Sequence, residues 1–183
     1  MSAAAPQSDD RNWAPFRLAA AGTHADPPRS LQSAEGIGDR LRAAAFAEIQ
    51  AREAFNWAAD RFIEVPDSLK VAWRGLALAE DRHLAWLLKR MGELKVSITE
   101  RSVSTQLWHS LMSCTSAREF AHFMASAEER GRKAGERFCR EMTTRDPGTA
   151  EIFGKIAEEE VAHIALAERH FPGGYEGAGP ATG

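Results

Sequence analysis

From Ile37 to about Ile63, residues Leu41, Ala44, Ala45, Glu48, Ala51, Arg52 and Phe55 recur at three- and four-residue steps. That spacing puts them on one face of a long helix. Glu48 interrupts an otherwise small or apolar stripe, and a lone acid there is costly to bury without a partner. Val65-Pro66-Asp67-Ser68 breaks the pattern. Pro66 ends the first helix, and Asp67 or Ser68 caps the next. The second helix is expected to run to Met91, with Gly92 as its stop. Its inward stripe is Trp73, Leu76, Ala77, Glu80, His83, Leu84 and Leu87. Ser116-Ala-Arg-Glu119 is a capping-box signature for a third long helix reaching about Thr143. Phe120, Phe123, Met124, Glu128, Gly131, Gly135 and Phe138 are its inward positions. Asp146-Pro147 opens the fourth, with Asp as N-cap and Pro at the first turn. It carries Ile152, Phe153, Ile156, Glu160, His163, Ile164 and Ala167 and ends before Phe171-Pro172-Gly173-Gly174. β-branched residues form no alternating run, so no sheet is expected.

The segments between and around these helices are less regular. Residues 93–115 allow one short helix, Thr105–Ser113, around Trp108. Their length suits a crossover in a bundle whose second and third long helices run parallel. Residues 1–35 hold Pro6, Pro15, Pro27 and Pro28, with Ser8, Gly22, Ser30 and Ser33 among them. That density reads as an extended arm, with Trp13, Phe16 and Leu18 pinning it to the helices. The Gly-rich end, YEGAGPATG, reads as a flexible tail. The predicted organisation is an arm over 1–35, an all-α four-helix bundle over 36–171 and a tail over 172–183.

Composition adds little that changes this picture. The 183 residues are 44% hydrophobic, enough for one domain with a real core. A net charge of −3 argues against a dedicated nucleic-acid binder. Two cysteines, Cys114 and Cys139, make neither a zinc ribbon nor a disulfide framework, and read as free thiols of a cytoplasmic protein. The first residues lack a basic stretch followed by an apolar run, so no secretory signal is expected. No window is long and apolar enough for a membrane span.

The chemistry lies in a repeat. Glu160 and His163 form an E-x-x-H pair, as do Glu80 and His83 eighty positions earlier. Each pair has a glutamate 32 residues upstream, Glu48 and Glu128. The midpoint of Glu48 and Glu80 is position 64, beside the Val65-Pro66 break, and that of Glu128 and Glu160 is 144, beside Asp146-Pro147. Folding each half at its break brings each glutamate pair to one height, about 24 Å from its turn. The histidines fall one helical turn further along. Two packed hairpins then gather Glu48, Glu80, His83, Glu128, Glu160 and His163 at one place. Without metal, four buried acids repel and stay partly protonated. Two divalent ions would cancel their charge, and mixed oxygen and imidazole donors suit Fe or Mn better than structural Zn. A third E-x-x-H, Glu119 and His122, lacks the upstream glutamate and has Asp39 and Arg42 at the repeat-related positions. With 18 Glu and 6 His in the chain, roughly 0.6 chance matches are expected, so this copy reads as coincidence.

At these residues the sequence resembles the ferritin-like di-iron carboxylate superfamily, which places one Glu on each of two helices and Glu-x-x-His on each of two others. Glu48-Ile-Gln-Ala-Arg resembles the first-helix ligand segment of rubrerythrins, and Glu80-Asp-Arg-His83 the E-x-R-H form common on the second helix. Ala127-Glu128-Glu-Arg-Gly resembles an uncharacterised bacterial branch of ferritin-like proteins and, more loosely, the tRNA-modifying di-iron monooxygenases. The resemblance spans about residues 37–170. It implies a ferritin-like four-helix bundle holding two Fe ions, with Mn or a mixed Fe/Mn pair as alternatives. It departs from full-length rubrerythrins in lacking a four-cysteine module, so electrons must come from an external donor. The single tyrosine, Tyr175, lies in the tail, so no tyrosyl radical is expected.

The expected activity is an O₂- or peroxide-dependent oxidation or hydroxylation of a small-molecule substrate. Ferroxidase or iron-handling activity is the alternative, and tRNA modification a further one. A homodimer fits the first reading, and a monomer or dimer would exclude an iron-storage shell. Small residues near the ligands (Ala44, Ala51, Ala77, Gly131, Gly135) would leave room for a substrate channel. Arg130, Lys133, Arg137 and Arg140 form a basic stripe with acids close by. Arg52 and Arg132 stand where they could hold acids around the ligands, and Trp73 where it could shape a pocket. His109 and His122 read as surface or packing residues.

Overall fold

A computed structural model describes residues 11–20 and 23–173. Pro6, Ser8, Gly22 and the tail beyond Gly173, with Tyr175, lie outside the described residues. Five helices follow in order: α1 (Ala34–Arg61), α2 (Asp67–Glu93), α3 (Gln106–Met112), α4 (Ala117–Met142) and α5 (Pro147–His170). Among the described residues there is no strand, only an isolated parallel bridge between Leu18 and Val103. None of these helices is long and apolar enough to cross a membrane.

The caps expected for α4 and α5 form, but neither Asp67 nor Ser68 caps α2: Asp67 is its first residue and Pro66 stands at the N-cap without a side-chain bond, while α1 starts at Ala34, ahead of the expected Ile37. Ser33 Oγ accepts from Gly36 N–H at the start of α1. Ser116 Oγ accepts from Glu119 N–H at the start of α4, while the Glu119 carboxylate accepts from Thr115 N–H. Asp146 accepts from Thr149 N–H ahead of Pro147. Each satisfies a donor that a helix start would otherwise leave orphaned.

The end of α2 departs from expectation. Gly92 is not the stop; the helix continues to Glu93, and Lys95 takes the left-handed conformation at φ 57°. Lys95 N–H bonds to Gly92 C=O and Val96 N–H to Met91 C=O, the paired bonds of a Schellman motif. A lysine occupies the place a glycine usually takes, and Val96, the next residue, is half-buried against α1. Its methyls lie 3.0 Å from where a Cβ on Gly38 would stand. The glycine is therefore needed on α1, where Val96 packs, and the strain of the left-handed turn falls on Lys95.

α1 packs along α2, and α4 along α5, as two hairpins joined by residues 62–66 and 143–146. Phe62, Trp73 and Phe120 meet at one end, with ring centroids 5.5–6.3 Å apart. At the other end Arg90 of α2 donates to Asp146 and Thr149 at the start of α5. So α2 and α4 run in the same direction, and residues 94–116 carry the chain back along the length of the hairpins. That is the use expected for this segment, and α3 lies within it, packed on α1 and α4.

The described part of the arm is bound tightly. Trp13 and Phe16 are buried, Trp13 edge-on to Phe46 and Trp108. Leu18 corrects the expectation: its side chain is 40% exposed, and only its backbone neighbours engage, Ala19 N–H to Val103 C=O and Val103 N–H to Arg17 C=O. A second anchor was not foreseen. Asp39 is buried on α1 and accepts from the Arg29 guanidinium and backbone N–H and from buried Arg42. Arg42 also donates to Ser97 C=O and Glu100. The bridge from Arg29 and the two arginines hold the Asp39 carboxyl well below the usual carboxylate range, against the opposing effect of burial.

Candidate metal centre

All six repeat-related residues meet midway along the helices. Glu48 comes from α1, Glu80 and His83 from α2, Glu128 from α4, and Glu160 and His163 from α5. Glu48, Glu80, His83 and Glu160 offer atoms within 4.8 Å of one another, and so do Glu80, Glu128 and His163. Glu80 belongs to both groups, so its two oxygens stand between them. The histidine rings lie nearly parallel, centroids 5.8 Å apart. His83 Nδ1 lies 3.4 Å from Glu80, 3.6 Å from Glu48 and 3.6 Å from Glu160. His163 Nδ1 lies 2.9 Å from Glu80 Oε1 without hydrogen-bond alignment, and neither atom has another partner.

The hydrogen-bond accounting is what sets this place apart. Glu80 Oε1, His83 Nδ1, Glu128 Oε1, Glu160 Oε2 and His163 Nδ1 are buried without a hydrogen-bond partner, and no other side-chain nitrogen or oxygen among the described residues is in that position. Buried polar atoms left unpaired cost about 1–3 kcal/mol each. Their concentration at one point, within 4.8 Å of one another in two overlapping groups, fits a cation in the middle. Oxygen and imidazole donors of this kind can hold a metal ion.

Electrostatics point the same way. Burial and the repulsion of Glu80 push the Glu48 carboxyl well above its ordinary value. Burial, then Glu160, Glu80 and Glu48, do the same to Glu128. Burial and Glu80 raise Glu160 to about 7. Glu80 is the exception. Burial would raise it, but contacts with His163, His83 and Glu48 hold it well below the usual range. Burial opposes charge on His83, yet Glu48 and Glu80 together raise it to about 11. Burial and mutual repulsion thus favour the protonated forms of Glu48, Glu128 and Glu160 in the metal-free protein. A divalent ion would displace those protons.

A protein-family model described as "Protein of unknown function (DUF455)" matches residues 4–177. The chain belongs to the DUF455 family. No curated protein and no solved structure matches it.

One participant of this DUF455 centre escaped the sequence reading. Glu159 accepts from His83 Nε2 at 3.0 Å and is itself held by Arg82. A carboxylate at Nε2 would keep a proton on that nitrogen when a metal displaces the one on Nδ1, leaving Nδ1 to ligate. The signal was present in the run Glu158-Glu159-Glu160 opposite Arg82-His83, but adjacency to a ligand did not say which acid faced α2. Arg52 and Arg132, by contrast, do not hold the cluster. Arg52 pairs with Glu53 and Asp81, and Arg132 with Glu129 and Glu136. His122 is a packing residue, its Nε2 2.9 Å from Phe171 C=O. His109 is exposed.

Beside the cluster, between α1 and α4, lies a cavity of about 130 Å³. Glu48, Glu80, Glu128 and Glu160 form one wall; the rest is mainly small or apolar, including Ala44, Ala51, Gly131 and Gly135. Of the small residues singled out in the sequence, only Ala77 lies off this cavity. A side chain on Gly131 would meet no atom within 4 Å.

Proposed function

We propose that this DUF455 protein is a ferritin-like di-metal carboxylate protein, with iron as the resident metal, that uses O₂ or peroxide to oxidise a small organic substrate. The observation that carries the reading is the set of unpartnered buried atoms on Glu80, His83, Glu128, Glu160 and His163. Four carboxylates and two imidazoles match two divalent ions in both charge and donor type. A bound iron pair supplies the electron-transfer chemistry that no side chain here can. The chain's own residues do the rest. Glu80, common to both groups, sets the spacing of the two positions. Glu48, Glu128 and Glu160 neutralise the charge. Glu159 and Arg82 fix the His83 ring. The small residues of α1 and α4 leave a largely apolar space against the carboxylates, where an organic group can stand within reach of the metals. The cavity supports substrate oxidation over iron storage, since storage needs no organic-sized space at the centre.

The test is metal content by elemental analysis after expression with ample iron, followed by the optical spectrum after adding oxygen to the reduced protein. Two irons per chain and a new absorption band on oxygen addition are expected. Glu128→Ala should leave about one metal per chain, because Glu128 serves one group. Glu80→Ala should lose both, because Glu80 serves both. Fewer than half an iron per chain in the intact protein would end the proposal.

A further inference from the structure

We infer that the gap between α1 and α4 is a substrate channel for an amphipathic organic anion. Its apolar body would lie along the cavity and its anionic head at a basic mouth formed by Arg40 and Arg137. This rests on the function proposed above and adds to it the substrate class.

Three observations lead there. First, the cavity at the cluster is continued outward by a second space of about 270 Å³, also between α1 and α4. The two share Ala44, Gly131, Gly135 and Phe153. Second, apart from Arg132, which is paired with Glu129 and Glu136, the charged side chains that line the two spaces stand at their ends. At the inner end Glu80 and Glu160 are 1% and 4% exposed, and each presents an unpartnered oxygen to the site. The shared middle is alanine, glycine and phenylalanine. At the outer end stand Arg40, Arg137 and Glu141. Third, neither Arg40 nor Arg137 makes an ion pair among the described residues, whereas Arg132, which lines the inner cavity, is held by Glu129 and Glu136. Two exposed guanidiniums against one carboxylate leave the mouth with an excess positive charge, and the planar guanidinium suits a carboxylate or phosphate head.

The dimensions set the size of the ligand. Arg40 precedes Glu48 by eight residues and Arg137 follows Glu128 by nine, so the mouth stands about 12–14 Å along the helices from the carboxylates. A head group held there places the far end of an extended chain of about ten carbons beside the cluster. A shorter anion would not reach, and a bulky polar molecule would have to desolvate against Phe153 and Phe138, which line the passage.

The experiment uses the metal-loaded full chain and three probes of equal chain length: decanoate, decanol and decylammonium. Binding is read by calorimetry, and metal content is measured on the same samples. Decanoate should bind at least tenfold more tightly than decanol, and decylammonium most weakly. The double variant Arg40→Ser, Arg137→Ser should bring decanoate to the level of decanol without changing metal stoichiometry. Gly131→Leu, or Ala44→Leu if that variant misfolds, should weaken decanoate and decanol alike by blocking the passage. Failure of decanoate to bind, equal binding of decylammonium, or an unchanged affinity in the double variant would overturn the channel assignment. A chain that takes up no metal but preserves the probe order would refute the function proposed above while upholding the anion-binding mouth.

Discussion

Glu159 is the side chain whose removal tests the centre most selectively, because it touches the cluster only through the outer nitrogen of His83. Glu159→Ala is expected to weaken metal binding about 10- to 100-fold, measured by competition with a chelator, while Glu158→Ala, on the exposed side, should not. The carboxylates give a second test at the same scale. In the metal-free protein Glu160, Glu48 and Glu128 titrate above their ordinary value of 4.5. The folded chain therefore holds those protons more tightly than the unfolded chain. The stability they confer is complete below about pH 4.5 and is lost as pH rises through the folded values, Glu160's near 7. His83, raised to about 11, acts in the same direction above its ordinary 6.5. Glu80, depressed, acts oppositely but only below 4.5. Unfolding in excess chelator should therefore show a midpoint that falls from pH 5 to pH 8. With Fe(II) or Mn(II) present the slope should reverse, since the metal needs the deprotonated acids. A chelated protein that gains stability over that range would contradict this account of the cluster.

Individual helices carry their own tests. Lys95 pays for the turn after α2 with a left-handed backbone that costs an L-residue about 1–2 kcal/mol. Lys95→Gly should recover about 1 kcal/mol, net of the extra freedom of glycine in the unfolded chain, seen as a higher denaturation midpoint with an unchanged slope. Asp146 both caps α5 and receives Arg90 from the end of α2. Asp146→Ala is expected to cost about 2 kcal/mol, more than an isolated cap, because it also leaves Arg90 short of a partner. The helices themselves were readable from spacing and caps, since a stripe, a proline and a capping serine act over a few residues. The exit of α2 was not. The left-handed residue is Lys95, and the Val96 that follows it packs at Gly38, a contact over more than fifty residues of chain that no local pattern announces.

Across the whole molecule, the described arm and the hairpins are one folded unit joined through Trp13, Phe16 and the Asp39 cluster. Asp39→Ala removes the carboxylate that gathers Arg29 and Arg42 and leaves Arg42 buried with less compensation. A loss of roughly 3 kcal/mol is expected, together with faster proteolysis within residues 23–33. Because the Asp39 carboxyl titrates below its ordinary 3.8, the intact anchor is fully formed above that pH. It weakens as pH falls toward the folded value, so arm cleavage in the native protein should rise on acidification below about pH 4. The sequence offered Asp39 and Arg42 only as a mismatch to the E-x-x-H pattern. Nothing local says that a polar pair will be buried; the arm and residues 97–100 must first arrive from either side.

The chain by itself determined the helices, both reversals and the six residues that converge, because an offset of eighty positions and a midpoint at each break are one-dimensional facts with a three-dimensional consequence. Only the tertiary structure decided which neighbouring acid supports His83, that Glu80 stands between the two ligand groups, and that α1 and α4 part around a passage ending in Arg40 and Arg137. Those features depend on side-chain direction between helices distant in sequence. Periodicity fixes the face a residue occupies, but packing alone fixes what that face meets.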